Sequence, residues 1–271
     1  MKRQHVARAL SLGLLVLMVT QAILGLSFPG QYRDAAWIVA TWWGNDLVTL
    51  VLGAPLLGMS LALARRRSAR GLLLWAGALA YAAYNYAFYL FGAALNRFFA
   101  LYVVCTILAV SALGMVLAGL DVRAVAGRFS AKTPVRPAGG YLMFLAAGLS
   151  VVWMGTWAAY AFAGRPTPVE TEAFHLVAAL DLTTMVPLLA LSGYLLSTRR
   201  AWGYITAGFG SIQAALYLLV LSVNSVISIQ RGLAEAPGEL WIWGPLLLGT
   251  GLVAATLLAH VSGYVYDEIA E

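Results

Sequence analysis

Asp46 and Asp181 open two nearly matching phrases, "DLVTLVLGAPLL" and "DLTTMVPLL", each inside a long apolar run. Hydrocarbon tolerates an ionisable side chain only when it has a partner, a water or a proton, so position alone makes each carboxylate a candidate site. The chemistry open to such a pair is narrow: to hold a cation, a proton or a small polar solute, or to work as acid and base. Asp46 follows "WWGN" and also reads as a helix cap, a role aspartate fills well. Asp181 stands between "FHLVAAL" and "LTTMVPLL" and is the stronger candidate.

A second set of polar groups accompanies them. Tyr81, Asn85, Tyr89, Gly92 and Asn96 recur at intervals of three and four, which places them on one face of a helix. Tyr102, Tyr160, His175 and Gln21 fall at similar heights in neighbouring runs. The candidate polar cavity is therefore built from Asp46, Asp181, Tyr81, Asn85, Tyr89, Asn96, Tyr102 and His175. The competing reading is structural: hydrogen bonds between helices that hold a bundle together. His175 precedes Asp181 by six residues, so the two do not stack on one helical face and make a poor proton relay.

Other chemistries find no support. His175 and His260 lie toward opposite ends of their runs and do not pair on a haem, and both lysines fall in basic connecting segments. There is no phosphate-binding glycine loop, zinc-binding His-Glu-x-x-His, Cys pair or nucleophile elbow. The single cysteine, Cys105, reads as packing. No cofactor or metal is expected, and no catalytic residue is assigned.

The elements that must position these groups are helices in a membrane. Of 271 residues, 62% are hydrophobic and 10% charged, against roughly 25% charged in soluble domains. Eight apolar stretches, about 9–28, 46–64, 71–92, 98–120, 141–163, 176–197, 202–222 and 241–263, are each near the length that crosses a bilayer. The first ends without a small-x-small cleavage site and reads as a retained helix. The formal charge of +6 reflects short basic clusters between the stretches, which set topology; nucleic acid is not an expected partner. With the N-terminus in the cytoplasm, thirteen basic residues face inward and four, Arg33, Arg97, Arg165 and Arg231, face outward. Eight spans return the tail "YDEIAE" to the same side. Trp37, Trp42, Trp43, Trp241 and Trp243 read as markers of the outer interface, with 31–44 lying along it as a short helix.

The aspartate phrase recurs with a Pro-Leu-Leu and an arginine pair behind it, at Pro55 and Arg65–Arg66 and at Pro187 and Arg199–Arg200. This predicts an all-α membrane bundle of two parallel four-helix repeats, 1–120 and 141–271, joined by a basic linker at 121–140. The stretch "RRRSARGLLLWAGALAYAAYNYAFYLFGAALNRFFALYV" and the two "DL…P" phrases resemble an uncharacterised family of bacterial multi-pass inner-membrane proteins of unknown function. The resemblance covers spans two to four and six. It implies the same helical fold and a bacterial inner-membrane location, and supplies no activity.

The leading functional expectation is a small-solute or cation transporter or binding protein with an outward-facing polar cavity, its partners the bilayer and that solute. The alternatives are a membrane-embedded enzyme or redox accessory subunit, and a non-catalytic sensor or assembly factor. Enzymatic activity is the less favoured class.

Overall fold

A computed structural model describes residues 2–66, 68–233 and 239–264, so Arg67 of the basic cluster and the 265–271 tail lie outside the described residues. The described chain is helical, without a named strand. Its eight long helices are α1 (Lys2–Ser27), α2 (Ala36–Arg65), α3 (Ala69–Gly92), α4 (Phe99–Ala118), α5 (Val135–Ala163), α6 (Thr171–Ser197), α7 (Ala201–Gln230) and α8 (Leu240–His260). All but α3 are long and apolar enough to cross a membrane, and the architecture is that of a multi-pass helical membrane bundle. The exception carries Tyr81, Tyr84, Asn85, Tyr86 and Tyr89 within its 24 residues. It is also surrounded, packing on α2, α4, α6 and α7, so its polar groups face protein.

Several spans, α2, α5, α6 and α7 among them, are longer than the apolar runs predict. α2 begins at Ala36, and Trp42 within it is 1% exposed. The expected interfacial helix is thus the first third of a span, packed against α7. Asp46 consequently caps nothing; it sits eleven residues into α2 and is fully buried. α7 runs on to Gln230, α5 starts at Val135 within the expected linker, and the 121–140 segment also holds a short helix, Val122–Ala126. Asn96 leaves the predicted stripe, because α3 ends at Gly92.

Both α2 and α6 widen for one turn midway. Ala54 N–H reaches back five residues to Thr49 O, and Val186 N–H does the same to Asp181 O. Each wide turn immediately precedes a proline, Pro55 or Pro187. A proline ring inside a helix clashes with the carbonyl four residues earlier and offers no N–H to it, and an extra residue per turn relieves the clash. In α6 the hydroxyls of Thr183 and Thr184 bond to Ala179 O and Leu180 O, both at 2.6 Å, satisfying carbonyls that water cannot reach.

Beyond the wide turns, each helix doubles back tightly. α3 packs on the end of α2 with Gly71 against the backbone of Leu63 and Ala64, and α7 packs on α6 with Gly203 against Leu195 and Leu196. A side chain at either glycine would collide with backbone. α3 and α7 then cross at the centre, where Gly77 meets Ile212 and Gly208 meets Leu73.

One end of the bundle collects the basic clusters and is tied down. Arg8 donates to Ala64 O at 2.9 Å, Arg70 Nε to Val261 O at 2.7 Å, and Ser130 N to His260 O at 2.8 Å. The far end carries the connections at 28–35, 93–98 and 164–170.

Candidate functional site

Asp46 is held by three donors from three elements. Gln21 Nε2 on α1 donates to Oδ1 at 2.8 Å, Tyr89 on α3 donates to Oδ1 at 2.7 Å, and Tyr32 donates to Oδ2 at 2.6 Å. Tyr86 closes the ring of contacts by donating to Gln21 Oε1 at 3.2 Å. Trp42 and Tyr102 stack on opposite sides of the Tyr89 cluster, with ring centroids 4.9 and 5.0 Å from Tyr89. Tyr32 lies in the connection between α1 and α2. Burial, and then the neighbouring Asp46 carboxylate, push its phenol well above the ordinary tyrosine range, so it remains a donor.

Asp181 has a matching set. Tyr84 on α3 donates to Oδ1 at 2.6 Å, while Trp153 Nε1 on α5 and Tyr217 on α7 donate to Oδ2 at 2.9 and 2.8 Å. The carboxylate is fully buried and faces the bundle interior. Among the described residues neither aspartate is paired with a cationic side chain; both are held by neutral donors. Their donor sets share no residue, so they form two polar clusters and not one acid pair.

The remaining candidates divide between these clusters and the surface. Tyr81 hydrogen-bonds Thr49 Oγ1 at 2.9 Å, and Asn85 Nδ2 donates to the same oxygen at 3.3 Å. Asn96 closes a local turn, accepting from Phe98 N at 2.8 Å. His175 is exposed on α6 and lines no described cavity. Among the described residues no group of three His, Cys, Asp or Glu is arranged to hold a metal.

The donors that complete both clusters, Tyr32, Tyr84, Tyr86, Trp153 and Tyr217, are absent from the sequence-based candidates. One signal for them exists. The wide turns Thr49–Gly53 and Asp181–Met185, the prolines, the two tight glycines, and Gln21 with Trp153 are all 132 residues apart. The aspartates are 135 apart. In the common register Thr49, not Asp46, stands at the place of Asp181, and Asn85 stands at the place of Tyr217. The bond Asn85–Thr49 is then the counterpart of Tyr217–Asp181. At this spacing the two aspartates do not coincide: Asp46 stands three residues before Thr49 and Tyr89 four after Asn85, each one turn nearer the far end.

Between the clusters lies a cavity of about 160 Å³, walled by α2, α3, α6 and α7. It extends from Trp37 and Gly92 at the far end down to Tyr81 and Gln213, a depth of roughly 16 Å at 1.5 Å per residue of α3. Below that level, the close approach of α3 and α7 at Gly77 seals it. Its lining is mainly apolar; the polar groups are amides, hydroxyls and the indoles of Trp37 and Trp42, and among the described lining residues no ionisable acid or base other than tyrosine contributes. Asn224 donates from Nδ2 to Val220 O and Thr41 O, each at 3.2 Å. Asn45 is fully buried in the wall, and neither its amide nitrogen nor its oxygen has a partner among the described residues. A buried amide left unpaired costs about 1–3 kcal/mol, so this side chain calls for an explanation. Compared with known proteins, the chain matches no family model, no curated protein and no solved structure.

Proposed function

We propose that this protein binds a small uncharged polar solute in the cavity between its two halves and carries it across the membrane. The observation that carries this reading is the cavity itself, which both halves line, with the fully buried amide of Asn45, unpartnered among the described residues, packed into its wall. Gln213 and Asn85 add two further amides to the same wall. Asp46 and Asp181 do not line the cavity, and each already accepts three hydrogen bonds. They are assigned as internal posts, and a neutral solute is favoured over a cation.

The same reading treats the halves as copies of one four-helix unit, related about an axis along the membrane normal, with α3 as an eighth span. The shared 132-residue spacing of wide turns, prolines, glycines and aspartate donors supports it. Solute sites at the interface of two repeats recur among transporters, which is an analogy of architecture. The basic end is assigned to the cytoplasm on the thirteen-to-four distribution of basic residues, and the cavity then opens outward. The bacterial inner membrane is the assignment that the sequence resemblance implies.

The test is ligand-dependent stabilisation of the purified protein, followed by uptake into liposomes, across a panel of neutral amides, polyols and heterocycles. One class is expected to raise the melting temperature, by about 2.7 kcal/mol of stability at a hundredfold excess over Kd. Asn45→Leu should abolish that response while the protein still folds. The proposal fails if Asn45→Leu stabilises the protein and no solute in the panel shifts either form.

A further inference from the structure

The first helix of each half packs differently, and the difference opens a second site. α1 packs along α4, whereas α5 leans onto α6 and meets α8 only low down. There Tyr141 lies against Gly249 and donates to Leu246 O at 2.8 Å. Above that contact α5 and α8 part, leaving a V-shaped cleft of about 410 Å³ that faces the surroundings of two membrane-crossing helices. Leu145, Leu149, Met185 and Leu189 line it, and it runs roughly 16 Å from Leu145 to Thr156 at 1.5 Å per residue.

Its polar groups are few and specific. Trp153 and Tyr217 form part of the wall, but both donors are committed to Asp181. Glu239, at the far end, is the one carboxylate among the described lining residues, and no basic side chain accompanies it. Its Oε2 accepts from Ser225 at 3.1 Å, and Oε1 has no partner among the described residues. A slot bathed in hydrocarbon, apolar along its length and ending in an acceptor, suits one kind of molecule.

We propose that this cleft binds a single-chain amphiphile from the bilayer, with its hydrocarbon chain between α5 and α8 and a donating head, hydroxyl or ammonium, at Glu239. A carboxylate or phosphate head meets a like charge at Glu239, and no basic side chain among the described lining residues offsets it. This site is separate from the central cavity; Tyr217 alone lines both.

The experiment photolabels the full-length protein in nanodiscs with diazirine-bearing dodecanol, dodecylamine and dodecanoate, and maps the adducts by mass spectrometry. Dodecanol and dodecylamine should label 145–156 and 239–246 at least tenfold above Ile107 and Val110, which are exposed on α4. Gly148→Phe, at a position with open space around its backbone, should reduce cleft labelling to the α4 level. Val152→Trp, on an exposed position, gives a second block should the first variant misfold. Glu239→Gln should erase the preference over dodecanoate, and Asn45→Leu should change nothing. Even labelling of cleft and α4, or equal labelling by dodecanoate, would overturn the proposal.

Discussion

Gln21 and Trp153 stand 132 residues apart and make the same bond to different partners. Each donates an N–H to the buried aspartate of the next span, Gln21 Nε2 to Asp46 at 2.8 Å and Trp153 Nε1 to Asp181 at 2.9 Å. Each bond fastens the first helix of its half to the second, α1 to α2 and α5 to α6. Gln21→Leu and Trp153→Phe should each lower stability by about 1–2 kcal/mol, through loss of a buried hydrogen bond. Thermal unfolding in detergent measures both, and costs of similar size would indicate a shared role.

Gly25 is where α1 makes room for Asp46. A methyl group there would strike the Asp46 carboxylate and come within 2.6 Å of the Tyr32 hydroxyl. Gly25→Ala should therefore cost about 1–3 kcal/mol by overpacking. Gly13, on the same helix, has only Leu108 at 3.9 Å before it. Gly13→Ala should be neutral or stabilise by up to about 1 kcal/mol, the helix-propensity difference. Equal responses at the two positions would remove the packing argument.

How far the sequence reaches is visible in particular residues. Seven membrane-crossing helices follow from apolar runs, because a bilayer imposes length and hydrophobicity directly. The start of α2 does not: "AAWIVATWWG" reads as interfacial since indoles favour that level, yet Trp42 is buried against Tyr89 and donates to Asp34 at 2.9 Å. Asp181 is recognisable as a buried carboxylate because hydrocarbon forces it to find partners. Which partners is a tertiary matter. Tyr32 comes from a connection, Trp153 looks like one more membrane tryptophan, and Tyr84 lies off the predicted stripe on α3. The 132-residue spacing is hidden in the aspartate phrase, since the prolines and tight glycines keep it and the aspartates stand 135 residues apart.

Arg199 ends α6 in the left-handed conformation, with φ of 56°. Arg200 N bonds Leu195 O and Arg199 N bonds Leu196 O, both at 2.9 Å, the pattern that usually places glycine there. A side chain in this conformation costs about 1–2 kcal/mol. Arg199→Gly should raise stability by about 1 kcal/mol in chemical denaturation, with the bundle otherwise unchanged. A loss would mean that the guanidinium contributes more than its backbone costs.

Orientation is testable without a ligand. Reporter insertions within 128–133 should give a cytoplasmic signal and those within 165–170 an external one. Both segments are connections at opposite ends of α5. A reversed pair of signals would turn the cavity mouth toward the cytoplasm and the solute reading with it.

Asp181 separates a structural post from a charged site. Tyr84 and Tyr217 can accept as well as donate, but the Trp153 N–H can only donate. In Asp181→Asn, the amide oxygen can take the place of Oδ2 and keep Trp153 and Tyr217. The amide nitrogen then donates to Tyr84, so all three bonds survive in one orientation. Stability should stay within about 1 kcal/mol of the parent. Asp181→Leu leaves three buried donors unpaired and should cost about 3 kcal/mol or more. Because Tyr84 and Tyr217 also line the central cavity, the Leu variant should lose solute binding together with stability. The Asn variant should keep both. If Asp181→Asn folds normally and yet abolishes solute-dependent stabilisation, the charge itself is in use. The neutral-solute reading would then give way to a cation- or proton-linked one.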